Sequence, residues 1–424
     1  MKRVAIATLG CKTNQFESAA MIEQFEQGGY RIVPFTQPAD IYVVNSCTVT
    51  ARTDAETRRL IRRARRLNPE ARIIATGCYA QVAPGELEQM PEVDSVLGNR
   101  EKQDIFGFAE SGESRVSDIS SEVTVGPLKL ESFAEHTRAF LQAQNGCNSF
   151  CAYCIVPYAR GRSRSVPLED VLQGVRNLAA NGYREVVLTG IHLGAYGLDL
   201  HPAQSLTGLV QRINAEQLVS RLRIGSVEPN ELTDELLALM AKSEIVCPHL
   251  HLPLQSGSAA VLQGMGRKYS PEFFRRLVER LTQEVPDISI GLDLIAGFPG
   301  ESSASHQETV TLLTALPLAY LHVFPYSSRP GTKAAALPGH LDPGVIKRRA
   351  EELRRLGVQK SIEFAGRFVG RELPVLVQGS GVSGISRNYL TVRLDGPAAC
   401  PGTEHAVKIT SVTSDGSCRG ELPG

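Results

Sequence analysis

Short runs of β-branched residues alternate with helical stretches over the first hundred positions of the chain. The apolar runs RVAIATLG, IYVVNSC and RIIATGC are separated by segments with helical spacing, such as AETRRLIRRARRL. Strand–helix alternation of this kind predicts a parallel sheet with right-handed crossovers. Positions 108–134 are polar and Ser-rich without a sustained period, and they predict a linker.

The alternation resumes at the segment TRAFLQAQNG and continues for more than two hundred residues. Counting this opening strand, six βα units are predicted, which are too few for an eight-unit barrel but enough for a partial one. The other five predicted strands are Arg184–Gly190, Arg221–Val227, His249–Gln255, Ile288–Gly297 and Leu321–Ser327.

The pattern changes again beyond about residue 367. Three segments, ELPVLVQGS, NYLTVRLDG and HAVKITSVTSDG, alternate by twos between Gly-rich turns and predict a small antiparallel β-barrel. The predicted fold class is therefore α/β with an appended all-β unit. The predicted domains are a parallel α/β sheet at 1–107, a linker at 108–134, a partial (βα)6 barrel at 135–366 and the small β-barrel at 367–424.

Composition and charge bear on the partners of the chain and on its cellular compartment. The formal net charge is +0, so nucleic-acid binding would have to rely on local basic patches. The chain begins with a short apolar run that predicts a strand rather than a signal peptide, and no window approaches the roughly 18 apolar residues of a membrane span. We expect a cytoplasmic protein without a membrane segment. We also expect a monomer, because the sequence shows no coiled-coil heptad.

Nine cysteines, an odd number without a secretion signal, argue against a disulfide framework. Three of them, Cys147, Cys151 and Cys154, lie within eight residues directly after a predicted strand. Three thiolates on one loop can hold three corners of a [4Fe–4S] cluster and leave the fourth iron open. A zinc site that takes its fourth ligand from elsewhere is the alternative. We expect the isolated Cys247, Cys400 and Cys418 to be ordinary structural thiols.

The spacing CxxxCxxC with an aromatic residue before the last cysteine, here CNSFCAYC, resembles the signature of radical S-adenosylmethionine enzymes. The resemblance implies that the open iron chelates S-adenosylmethionine and that one electron from the cluster cleaves it to a 5′-deoxyadenosyl radical. It also implies that Tyr153 lies against the adenine, with simple loop packing as the alternative.

Further cofactor contacts are expected where later strands end. The segment LTGIHLG would present backbone acceptors, SVEP would offer a hydroxyl and a carboxylate to ribose, and PLQSGS and GFPGE contain glycines that permit close backbone approach. The candidate cofactor-binding residues in these segments are Thr189, Gly190, Ser226, Glu228, Gln255 and Gly297.

A cysteine occurs at nearly the same distance along the chain from three apolar strands of the first domain. These cysteines are Cys11, Cys47 and Cys78. Because the carboxyl ends of parallel strands meet at one edge of a sheet, we expect these three thiols to converge. They would form a second three-thiolate site with one open position, unless they are three unrelated cysteines at strand ends.

Over nearly its full length the chain resembles the methylthiotransferases, which combine a three-cysteine domain, a radical S-adenosylmethionine domain and a TRAM β-barrel that binds RNA in its relatives. The resemblance implies two [4Fe–4S] clusters, S-adenosylmethionine, an external one-electron donor and an unidentified sulfur source. In that family a substrate C–H bond is replaced by a methylthio group whose sulfur comes from the auxiliary cluster.

The segments GCKTN, NSCTVT and TGCYAQ most resemble the branch that acts on N6-threonylcarbamoyladenosine beside the tRNA anticodon. The branch for isopentenyladenosine tends to have Gln-Met, and the branch for a ribosomal-protein aspartate tends to have Pro-Lys, where this chain has Lys12 and Thr13. Those two substrates remain alternatives. An iron–sulfur or RNA-binding protein without turnover is a third, disfavoured because electron carriers usually saturate their clusters with four cysteines.

Candidate RNA contacts lie on a predicted strand near the C-terminus, where alternation would place Arg387, Tyr389 and Arg393 on one face. A solvated strand face is the alternative. Arg160 or Arg329 could pair with the threonyl carboxylate of the substrate, since guanidinium matches carboxylate bidentately. Ordinary intraprotein ion pairs are the competing interpretation for both.

Overall fold

The first unit is a parallel sheet with its helices, as the sequence predicts. A computed structural model of the chain describes residues 1–126, 130 and 137–422. Five parallel strands lie in the order β2-β1-β3-β4-β5, and every residue of β3 is buried, as expected of a parallel strand covered on both faces. The elements are β1 (Arg3–Thr8), α1 (Lys12–Gln27), β2 (Arg31–Ile32), β3 (Ile41–Ser46), α2 (Ala51–Leu67), β4 (Arg72–Gly77), α3 (Cys78–Val82), α4 (Pro84–Glu88), β5 (Ser95–Val96) and α5 (Ile105–Ser111).

Two details of this unit add to the sequence pattern or differ from it. Helix α1 begins at Lys12, directly after Cys11, so a cysteine of the N-terminal triad occupies its N-cap position. Helix α5 crosses the predicted end of the first domain at 107, and Arg115 still bridges to Leu97 beside β5. Part of the predicted linker, residues 127–129 and 131–134, lies outside the described residues.

The central unit contains all six predicted parallel strands. Strands β6, β8 and β9 form one sheet and β10, β11 and β12 another, while bridges from Leu222 to Val246 and from Ser226 to His251 join them into one open barrel. Its elements are β6 (Arg138–Asn145), α6 (Val156–Arg160), β7 (Arg164–Ser165), α7 (Leu168–Ala180), β8 (Glu185–Gly190), α8 (Leu206–Ala215), β9 (Arg221–Ile224), α9 (Asp234–Lys242), β10 (His249–Gln255), α10 (Ala259–Met265), α11 (Pro271–Glu284), β11 (Ser289–Ala296), α12 (Ser303–Ala315), β12 (Tyr320–Pro325) and α13 (Pro343–Gly366).

The outer helices follow from local sequence. Helix α11 starts at Pro271 after Ser270, whose side chain accepts the amide of Phe273. Its buried side chains, Phe274, Leu277, Val278 and Leu281, recur at helical spacing and cover the outer face of the barrel. The apolar faces of the strands therefore point outward to the helices, and buried polar side chains are left to line the barrel interior, here called the lumen.

The open side of the barrel is occupied by the first unit. Helix α1 packs against β6 and β8, and its Phe16 and Ala19 join the main hydrophobic core. The first sheet and the central barrel are therefore in direct contact along α1.

The third unit is a closed barrel with the strand order β13-β14-β15-β17-β16. Its strands are β13 (Glu372–Gln378), β14 (Ser383–Ser386), β15 (Thr391–Asp395), β16 (Glu404–Val412) and β17 (Cys418–Glu421). Arg221 and Arg223 at the start of β9 donate to the carbonyl oxygens of Ile385, Ser386 and Arg387. The small barrel thus docks at the amino ends of the central strands. Among the described residues, no helix combines the length and apolarity needed to cross a bilayer.

Candidate cluster and cofactor site

The central triad, Cys147, Cys151 and Cys154, lies on the loop after β6, at the carboxyl end of the barrel. The amide of Ser149 donates to Cys147 Sγ at 3.4 Å, and the Arg267 guanidinium donates to Cys151 Sγ at 3.5 Å. N–H donors of this kind stabilise negative charge on sulfur and tune bound iron–sulfur clusters.

The three thiols of this loop face one another. Burial raises the pKa of Cys154 to about 12, and the neighbouring Cys151 and Cys147 act in the same direction. Burial alone would lower the pKa of His192, but hydrogen bonds to Cys147 (Nδ1 to Sγ 3.5 Å) and Glu231 (Nε2 to Oε1 2.7 Å) raise it to about 10. Ionising these neighbouring thiols together would therefore need positive charge close by.

The N-terminal triad, Cys11, Cys47 and Cys78, sits where β1, β3 and β4 end. Burial raises the pKa of Cys47 to about 12, and the approach of Cys78 and Cys11 adds to the effect. Gly10, at φ +95°, lies so close to Cys47 that a Cβ there would stand 2.8 Å from its sulfur. The predicted convergence of the three thiols at one sheet edge is therefore what the structure contains.

Each triad supplies three thiols, one fewer than the four ligands of a closed structural zinc site. Three thiolates can hold three irons of a [4Fe–4S] cluster and leave the fourth iron open. That each triad holds such a cluster stays a prediction.

The predicted cofactor segments all lie at the carboxyl ends of barrel strands. Gln255 is held at φ +70°, an uncommon backbone conformation for a residue other than glycine. Gly297 has φ +83°, and a Cβ there would meet Ile346 at 2.6 Å. These residues and the central triad form a ring around the carboxyl end of the barrel; its other members are Thr189 and Gly190, the last two residues of β8, and Ser226 and Glu228, which follow β9.

Within this ring, Arg267 is a residue that no sequence signal identified. It pairs with Glu228, donates to the carbonyl oxygen of Pro253 at 2.9 Å, and reaches Cys151. Burial raises the pKa of Glu228, although Arg267 opposes the shift. Tyr153 lies beside Arg267 and packs against the apolar cluster containing Met265, so that its expected stacking on adenine stays a prediction.

Arg160 does not face a substrate. Its guanidinium is fully buried and pairs bidentately with Glu17 of α1, at 2.6 and 3.0 Å. Lys102 also pairs with Glu17, at 2.6 Å, and Arg160 contacts Asn14 and Asn145 as well. The intraprotein ion pair is thus the interpretation that holds for Arg160, because its donors are already used.

Arg329 is likewise turned to the first unit. Its Nη2 donates to Asp54 at 2.5 Å and to Thr48 at 2.7 Å, and Thr48 directly follows Cys47. Nearby, the amide of Ala51 donates to Ser327. The buried pair positions the loop of Cys47 and uses Nη2, whereas the buried Nε has no hydrogen-bond partner among the described residues, so the role of Arg329 as a ligand of the substrate carboxylate stays a prediction.

The predicted RNA-binding strand is two strands joined by a turn at 387–390, and this corrects the expectation of a shared face. Arg387 pairs with Glu404 at 2.9 and 3.0 Å, and Tyr389, at φ +70°, enters the amino end of the lumen. The Tyr389 ring lies 4.2 Å from that of His249. Arg393 alone of the three candidates is exposed on the small barrel.

The amino end of the lumen contains a charged group that includes Lys12, the residue after Cys11. Its nearest charged neighbours are Tyr389, Arg223, Arg138 and Glu185. Burial would raise the pKa of the Tyr389 phenol, yet Lys12, Arg138 and Arg223 lower it. Alternation along the strands could have indicated the inward arginines, but the entry of Lys12 from another unit depends on tertiary structure.

A second group missed by the sequence analysis lines the lumen wall. His251 donates to Asp293 at 3.0 Å, His322 lies 3.4 Å from the same oxygen, and the three ligand atoms fall within 4.8 Å of one another. Tyr320 connects His249 and His251 at 2.8 and 3.1 Å. The alternation of HLH along β10 places both histidines on one face and was the available signal.

Comparison with known proteins agrees with this arrangement. Two family descriptions match: Uncharacterized protein family UPF0004 at residues 3–98 and the Radical SAM superfamily at residues 141–313. A solved structure of the radical S-adenosylmethionine methyltransferase TsrM from Kitasatospora setae is similar with a TM-score of 0.55. At 17% identity over 79% of this chain and 77% of that one, it supports the fold alone.

Curated relatives match over almost the whole chain. The threonylcarbamoyladenosine tRNA methylthiotransferase MtaB of Aquifex aeolicus is 40% identical, over 93% of this chain and 97% of that protein. The protein of the same name from Bacillus subtilis is 38% identical, over 96% and 94%. A tRNA-2-methylthio-N(6)-dimethylallyladenosine synthase from Moorella thermoacetica is 33% identical, over 96% of each chain. The chain therefore belongs to the radical S-adenosylmethionine methylthiotransferase family, in its MtaB-type branch.

Proposed function

We propose that this protein attaches a methylthio group to C2 of N6-threonylcarbamoyladenosine in tRNA, beside the anticodon. Membership of the family implies a [4Fe–4S] cluster and S-adenosylmethionine. The printed names of the MtaB relatives supply the substrate, and they match with higher identity than the dimethylallyladenosine relative given above.

The residues divide the work between two sites. When bound, the cofactors supply a 5′-deoxyadenosyl radical at one site and transferable sulfur at the other. The central triad would hold the first cluster through its three thiolates, and the N-terminal triad would hold an auxiliary cluster in the same manner. Arg267 would balance the charge of the first site while keeping Glu228 oriented. The candidate contacts for S-adenosylmethionine are Tyr153, Thr189, Gly190, Ser226, Glu228, Gln255 and Gly297.

The observation that supports the proposal is the direct contact between the helices that adjoin the two three-thiol sites. Radical chemistry at a C–H bond and delivery of sulfur to the same carbon need both sites to reach one substrate atom. Arg160 in α6, the helix after the central triad, pairs with Glu17 in α1, the helix that begins beside Cys11. This short connection supports a shared substrate position between the two sites.

The base must leave the RNA stack to enter such an opening, as in other enzymes that act on a base. The exposed Arg393 and the basic face of α2 would contact phosphates, a role without sequence information. In α2, however, Arg59 and Arg65 already pair with Glu56 and Asp94. An external one-electron donor and a sulfur source are further partners that the chemistry requires.

Nucleoside mass spectrometry of total tRNA, from cells with and without this chain, tests the substrate. We expect loss of 2-methylthio-N6-threonylcarbamoyladenosine and accumulation of its unthiolated precursor. Loss of the isopentenyl nucleoside instead, or of a methylthio group on a ribosomal protein, would identify another branch substrate. Absence of 5′-deoxyadenosine formation by the reduced, reconstituted protein would leave only a non-enzymatic role.

Two matched variants separate the sites. Replacing all three cysteines of either triad by alanine should remove about half of the bound iron, because each triad holds one cluster of four irons. Only loss of the central triad should also abolish cleavage of S-adenosylmethionine. A chain without the N-terminal triad that retains full iron would remove the auxiliary cluster from the proposal.

A further inference from the structure

The amino end of the lumen carries more positive than negative charge. Glu185 is the carboxylate in its middle, and both its oxygens are taken by Arg221 and Arg223, at 2.8 Å from each Nε. Arg138 reaches Glu185 only at 3.5 Å, its guanidinium lies over the Tyr389 ring, and it hydrogen-bonds the Tyr389 phenol with part of its five N–H groups. Arg138 therefore keeps donors for another acceptor.

Lys12 adds an unpaired ammonium to this end of the lumen. It is the first residue of α1, is half-buried, and has Tyr389, Arg223 and Arg138 as neighbours. Within the described residues it forms no hydrogen bond and no ion pair. A partly desolvated lysine without a carboxylate is costly unless something anionic binds it.

We propose that Lys12 and Arg138 form a carboxylate-binding subsite for the threonyl arm of the substrate nucleoside. This inference rests on the proposed function, and it identifies the residues by which the enzyme would select the threonylcarbamoyl nucleoside. A primary ammonium beside a guanidinium with free donors matches a carboxylate in both charge and hydrogen bonding.

The position of Lys12 favours the nucleoside arm over the RNA backbone. Lys12 directly follows Cys11, so an anion bound by its side chain is held within one lysine length of the N-terminal triad. Tyr389 fills the amino end of the lumen, packing at 4.2 Å on His249 and under Arg223 at 4.9 Å. A flipped base with its side arm can enter the lumen from the carboxyl end, whereas the lumen is lined by buried side chains and offers a phosphate backbone no path to follow.

The subsite also explains how the enzyme would discriminate N6-threonylcarbamoyladenosine from isopentenyladenosine. An isopentenyl arm is apolar and carries no charge, so it would leave the Lys12 ammonium without a counter-charge and the remaining donors of Arg138 unused. Sites built for a polar group reject analogues that lack it, because the buried partners then remain unsatisfied.

The test compares two anticodon stem-loops, one with the natural threonylcarbamoyl acid and one with its uncharged threonine amide. Wild-type enzyme should prefer the acid by about 10- to 100-fold in kcat/KM and in Kd, the range expected for one charged hydrogen-bonded contact. Lys12→Met should abolish most of that preference while leaving the amide nearly unaffected, and Lys12→Arg should restore part of it. Lys347→Met, an exposed lysine of α13, is the matched control for loss of one positive charge.

Each outcome decides the question. Equal use of acid and amide by the wild type would overturn the inference even if every variant failed to fold. An equal loss on both stem-loops in Lys12→Met, with iron content unchanged, would mean a general electrostatic or structural role and would also overturn it. If the wild type modifies neither stem-loop, the proposed function fails, and the acid-to-amide ratio of Kd still decides the subsite.

Discussion

The buried guanidinium of Arg160 and the buried carboxylate of Glu17 join the two cysteine sites, with Nη1 and Oε1 2.6 Å apart. Burial alone would raise the pKa of Glu17, but Arg160 and Lys102 hold it at about 2. The pair connects α6 to α1, so its geometry sets how the central and N-terminal triads face each other.

Removing one partner of this pair should be strongly destabilising. Arg160→Met leaves Glu17 short of a counter-charge in a buried site, and we expect a loss of about 3–5 kcal/mol in the free energy of unfolding. The double variant with Glu17→Gln should lose less than the sum of the single losses, because the two groups interact directly. Glu216→Gln, which breaks surface pairs with Arg176 and Arg212, should cost at most about 1 kcal/mol in the same urea titration.

The contribution of Glu17 should depend on pH in a defined window. Its pKa in the folded chain, about 2, lies below the ordinary value of 4.5, so its stabilisation is present above 4.5 and is lost as pH falls toward 2. The difference in unfolding free energy between wild type and Glu17→Gln should be constant from neutral pH to 4.5 and shrink below it. Urea unfolding of the metal-free proteins at a series of pH values measures this; a difference that grows on acidification would contradict the assignment.

Arg329 should act through the loop of Cys47 and not through the substrate. Arg329→Met leaves Asp54 without its 2.5 Å partner, so we expect lower stability and weaker retention of iron by the N-terminal triad. The preference for the acid over the amide stem-loop should remain as in the wild type. Loss of that preference would return Arg329 to the role of substrate ligand.

Arg393 and Tyr389 should give opposite phenotypes. Arg393 is exposed, so Arg393→Ala should weaken tRNA binding and lower the slope of log affinity against log salt concentration by about one. It should change the free energy of unfolding by no more than about 0.5 kcal/mol. Tyr389→Ala removes a ring packed at 4.2 Å on His249 and should cost about 3 kcal/mol. Filter binding across salt concentrations and urea unfolding distinguish the two; equal stability losses would contradict the docking seen here.

The sequence by itself determined the local elements and the thiol chemistry. Period-two and helical patterns predicted the parallel sheet, the six barrel strands and the small β-barrel, because those periods record which face of each element is buried. Both cysteine triads could also be predicted from the sequence. The central triad lies on one short loop, and the cysteines of the N-terminal triad follow strands whose carboxyl ends a parallel sheet places along one edge.

Only the tertiary structure decided which charged side chains remain free. Arg160, Arg329, Arg387 and Lys12 look alike in the sequence, yet the first three pair with Glu17, Asp54 and Glu404 on elements distant along the chain. Lys12 has no such partner among the described residues, because α1 carries it into the lumen of another unit. Whether a charge is satisfied depends on contacts between units, and no local pattern records them.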